Sequence, residues 1–176
     1  VLRAFMGILN SNKVKKAVIA KKQEVVESKF LLKNLSENQQ KITDEIWNLF
    51  EEKKAAISLL DGVTGSGKTE VYFAIIAKIL AQNNNSQILI LLPEIALTSQ
   101  LLMRFEEQFG FVPALWHSKI SQKDKREIFY GIINGSIKVL IGARSALLLP
   151  FKNLQLIVLD EEHDSSFKQV DMFNFH

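Results

Sequence analysis

The sequence predicts an α/β fold, a mainly parallel sheet with helices on both faces. Three observations carry this. Short apolar runs of strand length alternate with helical patterns of about a dozen residues, the signature of βαβ units. A glycine loop, Gly62-Val63-Thr64-Gly65-Ser66-Gly67-Lys68-Thr69, joins one apolar run to the helical pattern after it. The last and most apolar run, Leu156–Leu159, ends in Asp160-Glu161-Glu162-His163.

Bulk properties bound what the chain can be. Its 176 residues suit one domain with a sizeable core, and 47% hydrophobic with 23% charged residues is ordinary for a globular chain. No apolar run approaches the ~20 residues that cross a bilayer, so no membrane partner is expected. There is no cysteine, which excludes disulfides and thiolate zinc sites and agrees with a cytoplasmic location. The net charge of +3 is uneven: residues 1–34 hold eight Lys/Arg against two Glu, a net of +6, leaving −3 for the remainder. A basic segment on a slightly acidic body suits attraction to phosphates, although a solvated face accounts equally for the charge alone.

Taken in order, residues 1–34 read as a basic N-terminal segment or linker. Ser36 opens a helix of about fifteen residues with Ile42, Ile46, Leu49 and Phe50 on one face. Ser36 and Gln39 are spaced as a capping box, which would give Gln39 a structural role. The amide could equally read the donor–acceptor edge of adenine, and the residues leave both readings open. Ile57-Ser58-Leu59-Leu60 reads as a buried strand before the glycine loop, and Lys68 to Leu80 as a helix carrying Val71, Ile75, Ile76 and Ile79. Asn83-Asn84-Asn85-Ser86 breaks the chain, Ile88–Leu92 is a second strand, and 94–108 returns to helix. Val112–Trp116 is a third strand. Ser121 caps a helix that stops near Asn134-Gly135, Ile137–Ile141 is a fourth strand, Ala146–Leu149 a short helix, and Leu154–Leu159 a fifth strand.

The glycine loop fits G-x-x-x-x-G-K-[ST], whose backbone N–H groups wrap the phosphates of a nucleotide. Lys68 would reach the β- and γ-phosphates, and the Thr69 hydroxyl would meet Mg²⁺. The helix that follows adds the positive end of its dipole. The acids after the last strand supply the other half of such a site. Asp160 would hold Mg²⁺, as hard oxygen ligands do, and Glu161 would orient and deprotonate an attacking water. His163 is expected to couple the nucleotide site to whatever hydrolysis drives. ATP and Mg²⁺ are thus the expected cofactors. A P-loop kinase or GTPase is disfavoured, because no N-K-x-D guanine-reading motif is present.

With both halves in view, GVTGSGKTEVY, LLPEIALTSQ, WHSKIS, IGARSALLLPF and DEEHDSSFKQ together resemble the bacterial replication-restart helicases of superfamily 2, over about residues 35–169. The resemblance implies a RecA-like first motor domain over 35–169, ATP hydrolysis and 3′→5′ unwinding of DNA at stalled forks. It implies phosphate and Mg²⁺ contacts for Gly62, Thr64, Gly65, Ser66, Gly67, Lys68 and Thr69, and an adenine-reading role for Gln39. It also implies contacts to a DNA strand for Thr98, Gln100, Arg144 and Ser145, residue types that grip phosphates without reading bases. The family also carries a second RecA-like domain and a cysteine-rich zinc-binding insertion, which these 176 residues do not contain. Residues 170–176 depart from its pattern and form a divergent tail. The expected partners are therefore DNA, other primosome proteins and a companion chain carrying the second motor domain. The rival reading is a truncated remnant that binds nucleotide or DNA without turning anything over.

Overall fold

The computed structural model describes residues 23–26, 30–52, 55–63, 65–93, 97 and 99–161. Helix α1 spans Glu37–Glu51, with Ser36 as its N-cap. Helix α2, Lys68–Gln82, begins where Gly67 turns into the left-handed region at φ 84°, a conformation that costs glycine little. Strand β1 (Gln87–Leu91), helix α3 (Ser99–Phe109) and strand β2 (Ala114–Trp116) follow. Helix α4, Gln122–Asn134, is capped by the Ser121 hydroxyl on the Asp124 N–H and stopped by Gly135 at φ 76°. Strand β3 (Val139–Gly142), a 3-10 helix (Arg144–Leu148) and strand β4 (Leu154–Leu159) complete the described chain.

The four strands form one parallel sheet in the order β2-β3-β1-β4. Central strands β1 and β3 are buried at every position, which explains why both read as unbroken apolar runs. Successive side chains alternate between two cores. Ile88, Ile90, Val139 and Ile141 face α2 and α3, while Leu89, Leu91 and Leu140 face α4 through Ile128 and Ile132. Nine residues of α2 are buried, because the sheet covers one side while Ile46, Trp47 and Phe50 of α1 pack against the same core. Phe105 and Phe109 of α3 stack at 4.3 Å and meet Phe73 of α2 edge-on. The expected helices on both faces are present.

One expected strand is not formed. Ile57–Leu60 lies outside the sheet, with Ile57 fully exposed and Leu59 84% exposed. Apolar content alone does not make a strand: each backbone N–H and C=O must also find a ladder partner. Among the described residues β4 pairs only with β1, so the run before the glycine loop has no neighbour to join. The same open edge explains β4 itself, where Ile157 and Leu159 are each 48% exposed while Leu156 and Val158 pack inward. Helix α3 begins at Ser99, later than expected, and residues 94–96 lie outside the described chain. The expected short helix is a 3-10 helix beginning two residues earlier, at Arg144.

Candidate functional site

All four strands run parallel, so their C-terminal ends share one edge, the edge at which α/β sheets bind ligands. The glycine loop lies against the start of α2. Ser66 N–H donates to the Val63 carbonyl at 3.1 Å, and Glu70 N–H donates to Gly67 O at 3.0 Å. A Cβ on Gly62 would come within 2.8 Å of Ser66 Oγ, and one on Gly67 would collide with the Gln39 side chain. At Gly67 the φ of 84° favours glycine, while at Gly62 a side chain would displace the Ser66 hydroxyl. Lys68 Nζ folds onto the loop, donating to the Gly62 carbonyl and, at 3.3 Å, to the Val63 carbonyl.

Gln39 makes the capping box and reaches further. Its Oε1 accepts from Ser36 N–H at 2.8 Å, and Ser36 Oγ accepts from Gln39 N–H at 3.3 Å. Its Nε2 donates to the Ser66 carbonyl at 3.1 Å, tying the start of α1 to the glycine loop. The same amide thus serves a structural role and stands at the loop.

Asp160 continues the β4 ladder by one bond, its N–H donating to Leu91 O at 3.1 Å. Oδ1 accepts from the Glu161 N–H at 3.0 Å, and Oδ2 accepts from the Tyr72 hydroxyl at 3.1 Å. Burial first, and then the Asp160 charge, push the Tyr72 phenol well above its ordinary value, so it remains a neutral donor. The Thr69 side chain, one helical turn earlier on α2, acts on the same phenol and opposes its upward shift. The Tyr72 hydroxyl ties the first turns of α2 to Asp160, 88 positions away in the chain. Sequence reasoning missed Tyr72. Its only signal was a tyrosine three residues after Thr69, one helical turn on.

Glu161 adopts φ 57°, the one non-glycine residue with positive φ among those described. Left-handed backbone at a non-glycine residue costs on the order of 1 kcal/mol and concentrates at functional positions. Nearby, Glu70 in the first turn of α2 is paired with Arg104 of α3 and, at 3.6 Å, with Lys33. Burial raises the Glu70 carboxyl, but hydrogen bonds from Arg104 and its own backbone, with the charges of Arg104 and Lys33, bring it below the usual range.

The residues fit a nucleotide with Mg²⁺. Gly65 and Gly67 hold the loop in left-handed turns that side chains disfavour, and Thr69 and Asp160 offer hard oxygen ligands. No cluster of three His, Cys, Asp or Glu that could hold a metal occurs among the described residues. An ion here would take its remaining ligands from phosphate and water.

Three of the candidate strand-contacting residues follow the C-terminal ends of β1 and β3. Arg144 and Ser145 are exposed at the start of the 3-10 helix after β3, and Ser145 Oγ accepts from Trp116 Nε1 at 3.1 Å. Gln100 is exposed in the first turn of α3, after β1. Thr64, Thr98 and His163 lie outside the described residues. No helix among the described residues is long and apolar enough to cross a membrane.

Comparison with known proteins points to helicases. The chain is similar to replication restart protein PriA of Rickettsia conorii, at 50% identity over 85% of this chain and 22% of that protein. It is 48% identical to the PriA protein of Helicobacter pylori over 72% of this chain and 20% of that one. It is 39% identical to the PriA protein of Bacillus subtilis over 81% of this chain and 17% of that one. The chain thus spans no more than 22% of the length of these relatives. The family model described as DEAD/DEAH box helicase matches residues 36–173, most of the chain, and to that family the chain belongs.

Proposed function

We propose that this chain is the ATP-binding motor domain of a 3′→5′ DNA helicase acting in replication restart, in which ATP hydrolysis is coupled to binding of a DNA strand. The observation that carries the proposal is the convergence of Thr69, Tyr72 and Asp160 beside a glycine loop at the C-terminal edge of a parallel sheet. The replication-restart names of its relatives support the biological setting.

In this reading Gly62, Thr64, Gly65, Ser66 and Gly67 present backbone N–H groups to the phosphates, and Lys68 leaves its loop carbonyls to contact the β- and γ-phosphates. Gln39 meets the adenine edge. Thr69 and Asp160 hold Mg²⁺, which supplies neutralisation of the phosphate charge when bound. The Tyr72 hydroxyl fixes the Asp160 rotamer. Glu161 accepts a proton from the attacking water, from an exposed position just past the end of β4 where the backbone turns left-handed. His163 relays the nucleotide state, and Thr98, Gln100, Arg144 and Ser145 grip the backbone of the DNA strand. A companion chain with a second motor domain and other primosome proteins complete the machine.

The test is steady-state ATP hydrolysis by the 176-residue chain, with and without single-stranded DNA, beside Lys68→Ala. DNA-stimulated turnover that disappears in Lys68→Ala supports the proposal. Turnover no higher than the Lys68→Ala background sinks hydrolysis by this chain and leaves a nucleotide- or DNA-binding module.

A further inference from the structure

On α4 the residues Gln122, Lys125, Arg126, Phe129 and Tyr130 recur at helical spacing and form one stripe. The opposite face carries the buried Ile128, Gly131 and Ile132, so the stripe is turned outward. Phe129 is 40% exposed and Tyr130 60% exposed, which core packing does not require. With Trp116 from the end of β2 these five residues line an open groove of about 340 Å³. Its lining holds three aromatic rings, two cations and no carboxylate. The acids of α4 are engaged elsewhere: Asp124 with the Ser121 cap and Glu127 with Lys123 at 3.9 Å. Lys125 and Arg126 form no ion pair with another described residue.

We propose that this groove binds the bases of single-stranded DNA, with Trp116, Phe129 and Tyr130 as stacking surfaces and Lys125 and Arg126 on the flanking phosphates. Aromatic rings beside cations in an open groove are the arrangement that takes unpaired bases without regard to sequence. The groove is continuous with the candidate strand-contacting residues, because Trp116 Nε1 donates to Ser145 Oγ. Ser145 and Arg144 would hold the sugar–phosphate backbone while the groove takes the bases that backbone carries. The inference rests on the proposal that this edge meets DNA, and it adds base stacking that phosphate contacts alone do not supply.

The chain has two tryptophans, so a Trp47→Phe background leaves Trp116 as the only reporter. Titration with an oligo-dT strand at low salt should quench Trp116 fluorescence, a readout that needs no groove variant. Tyr130→Ala should weaken binding about tenfold, the effect of losing one base stack, and Tyr130→Phe should restore it. An abasic strand of equal length should bind without quenching and should be indifferent to Tyr130→Ala. Binding of oligo-dT that Arg144→Ala weakens, but that neither quenches Trp116 nor responds to Tyr130→Ala, overturns the groove and leaves the DNA-contacting edge intact. Absence of binding in the parent chain overturns both. A sedimentation coefficient that falls in Tyr130→Ala without DNA shows a second copy of the chain in the groove, and also overturns it.

Discussion

The two ends of the parallel strands are built on opposite principles. At the N-terminal ends two buried glutamines bond backbone groups from neighbouring strands and loops. Gln87 Nε2 donates to the Ile132 and Ile137 carbonyls at 3.0 and 2.9 Å, and its Oε1 accepts from the Lys152 and Asn153 N–H groups at 2.8 and 2.9 Å. Gln23 does the same one strand over, donating to Val112 O and Val139 O and accepting from the N–H groups of Lys138 and Val139. At the C-terminal ends the chain instead leaves a left-handed Glu161, an exposed Arg144 and a lysine bonded to its own loop. One end is tied together by buried side-chain amides, and the other exposes charged side chains at the edge where α/β sheets take ligands. Stability and chemistry are thus separated along the strand axis, and substitutions at the two ends should fail in different assays.

The sharpest break in that contrast is Glu161→Gln. The amide keeps size and hydrogen bonding but cannot accept the proton from water, so ATP turnover should fall by about 10²–10⁴. The urea midpoint should hold, because the side chain contributes nothing to the core. A turnover loss below tenfold would move the general base to another residue. Gln87→Ala should do the reverse. The Ile132 carbonyl keeps the Gly135 N–H, but the Ile137 carbonyl and the Lys152 and Asn153 N–H groups lose their side-chain partner. At about 1–3 kcal/mol per unsatisfied group, not additive, the midpoint should drop by the equivalent of about 3 kcal/mol. Turnover per folded molecule should stay near the parent value at temperatures where the variant is folded. An unchanged midpoint would mean that water replaces the amide and that the lower end is not the sealed end.

The same contrast explains what was legible in the sequence. Local signals read well. The Ser121 cap and Gly135 stop bound α4, the Ser36–Gln39 box opens α1, and Leu154–Leu159 forms β4 as expected, because each of these is decided within a few residues. Long-range dependence did not read. Ile57–Leu60 has strand composition, but whether it forms one depends on a neighbour on the open side of β4. Gln87 stands at the head of an apolar strand, where only the loops 45 to 66 residues away reveal its purpose. Gln23 falls in a stretch whose charge drew attention, yet it binds β3 across 116 positions. Tyr72 was not singled out among the apolar positions of its helix: its ring is buried in the core, and its hydroxyl acquires a role at the site only because β4 delivers Asp160 to it.

Tyr72 is where the two principles meet, since its ring belongs to the core and its hydroxyl to the site. Tyr72→Phe keeps the ring and removes one bond to a charged acceptor. The stability change should be about 1 kcal/mol or less, because Asp160 still accepts from the Glu161 N–H and its own N–H still bonds Leu91. The site should register the loss more clearly. With its carboxylate less constrained, the Mg²⁺ concentration for half-maximal turnover should rise about fivefold, the equivalent of about 1 kcal/mol. The alkaline limb of the pH profile supplies the control. Burial and the Asp160 charge keep the phenol protonated well above its ordinary value, so parent and variant should trace the same limb up to about pH 10, where a free tyrosine ionises. An alkaline loss of activity in the parent that vanishes in Tyr72→Phe would show the phenol ionising within the working range. A shared limb with a shifted Mg²⁺ requirement assigns the hydroxyl to holding Asp160, through a tyrosine whose ring α2 already buries for other reasons.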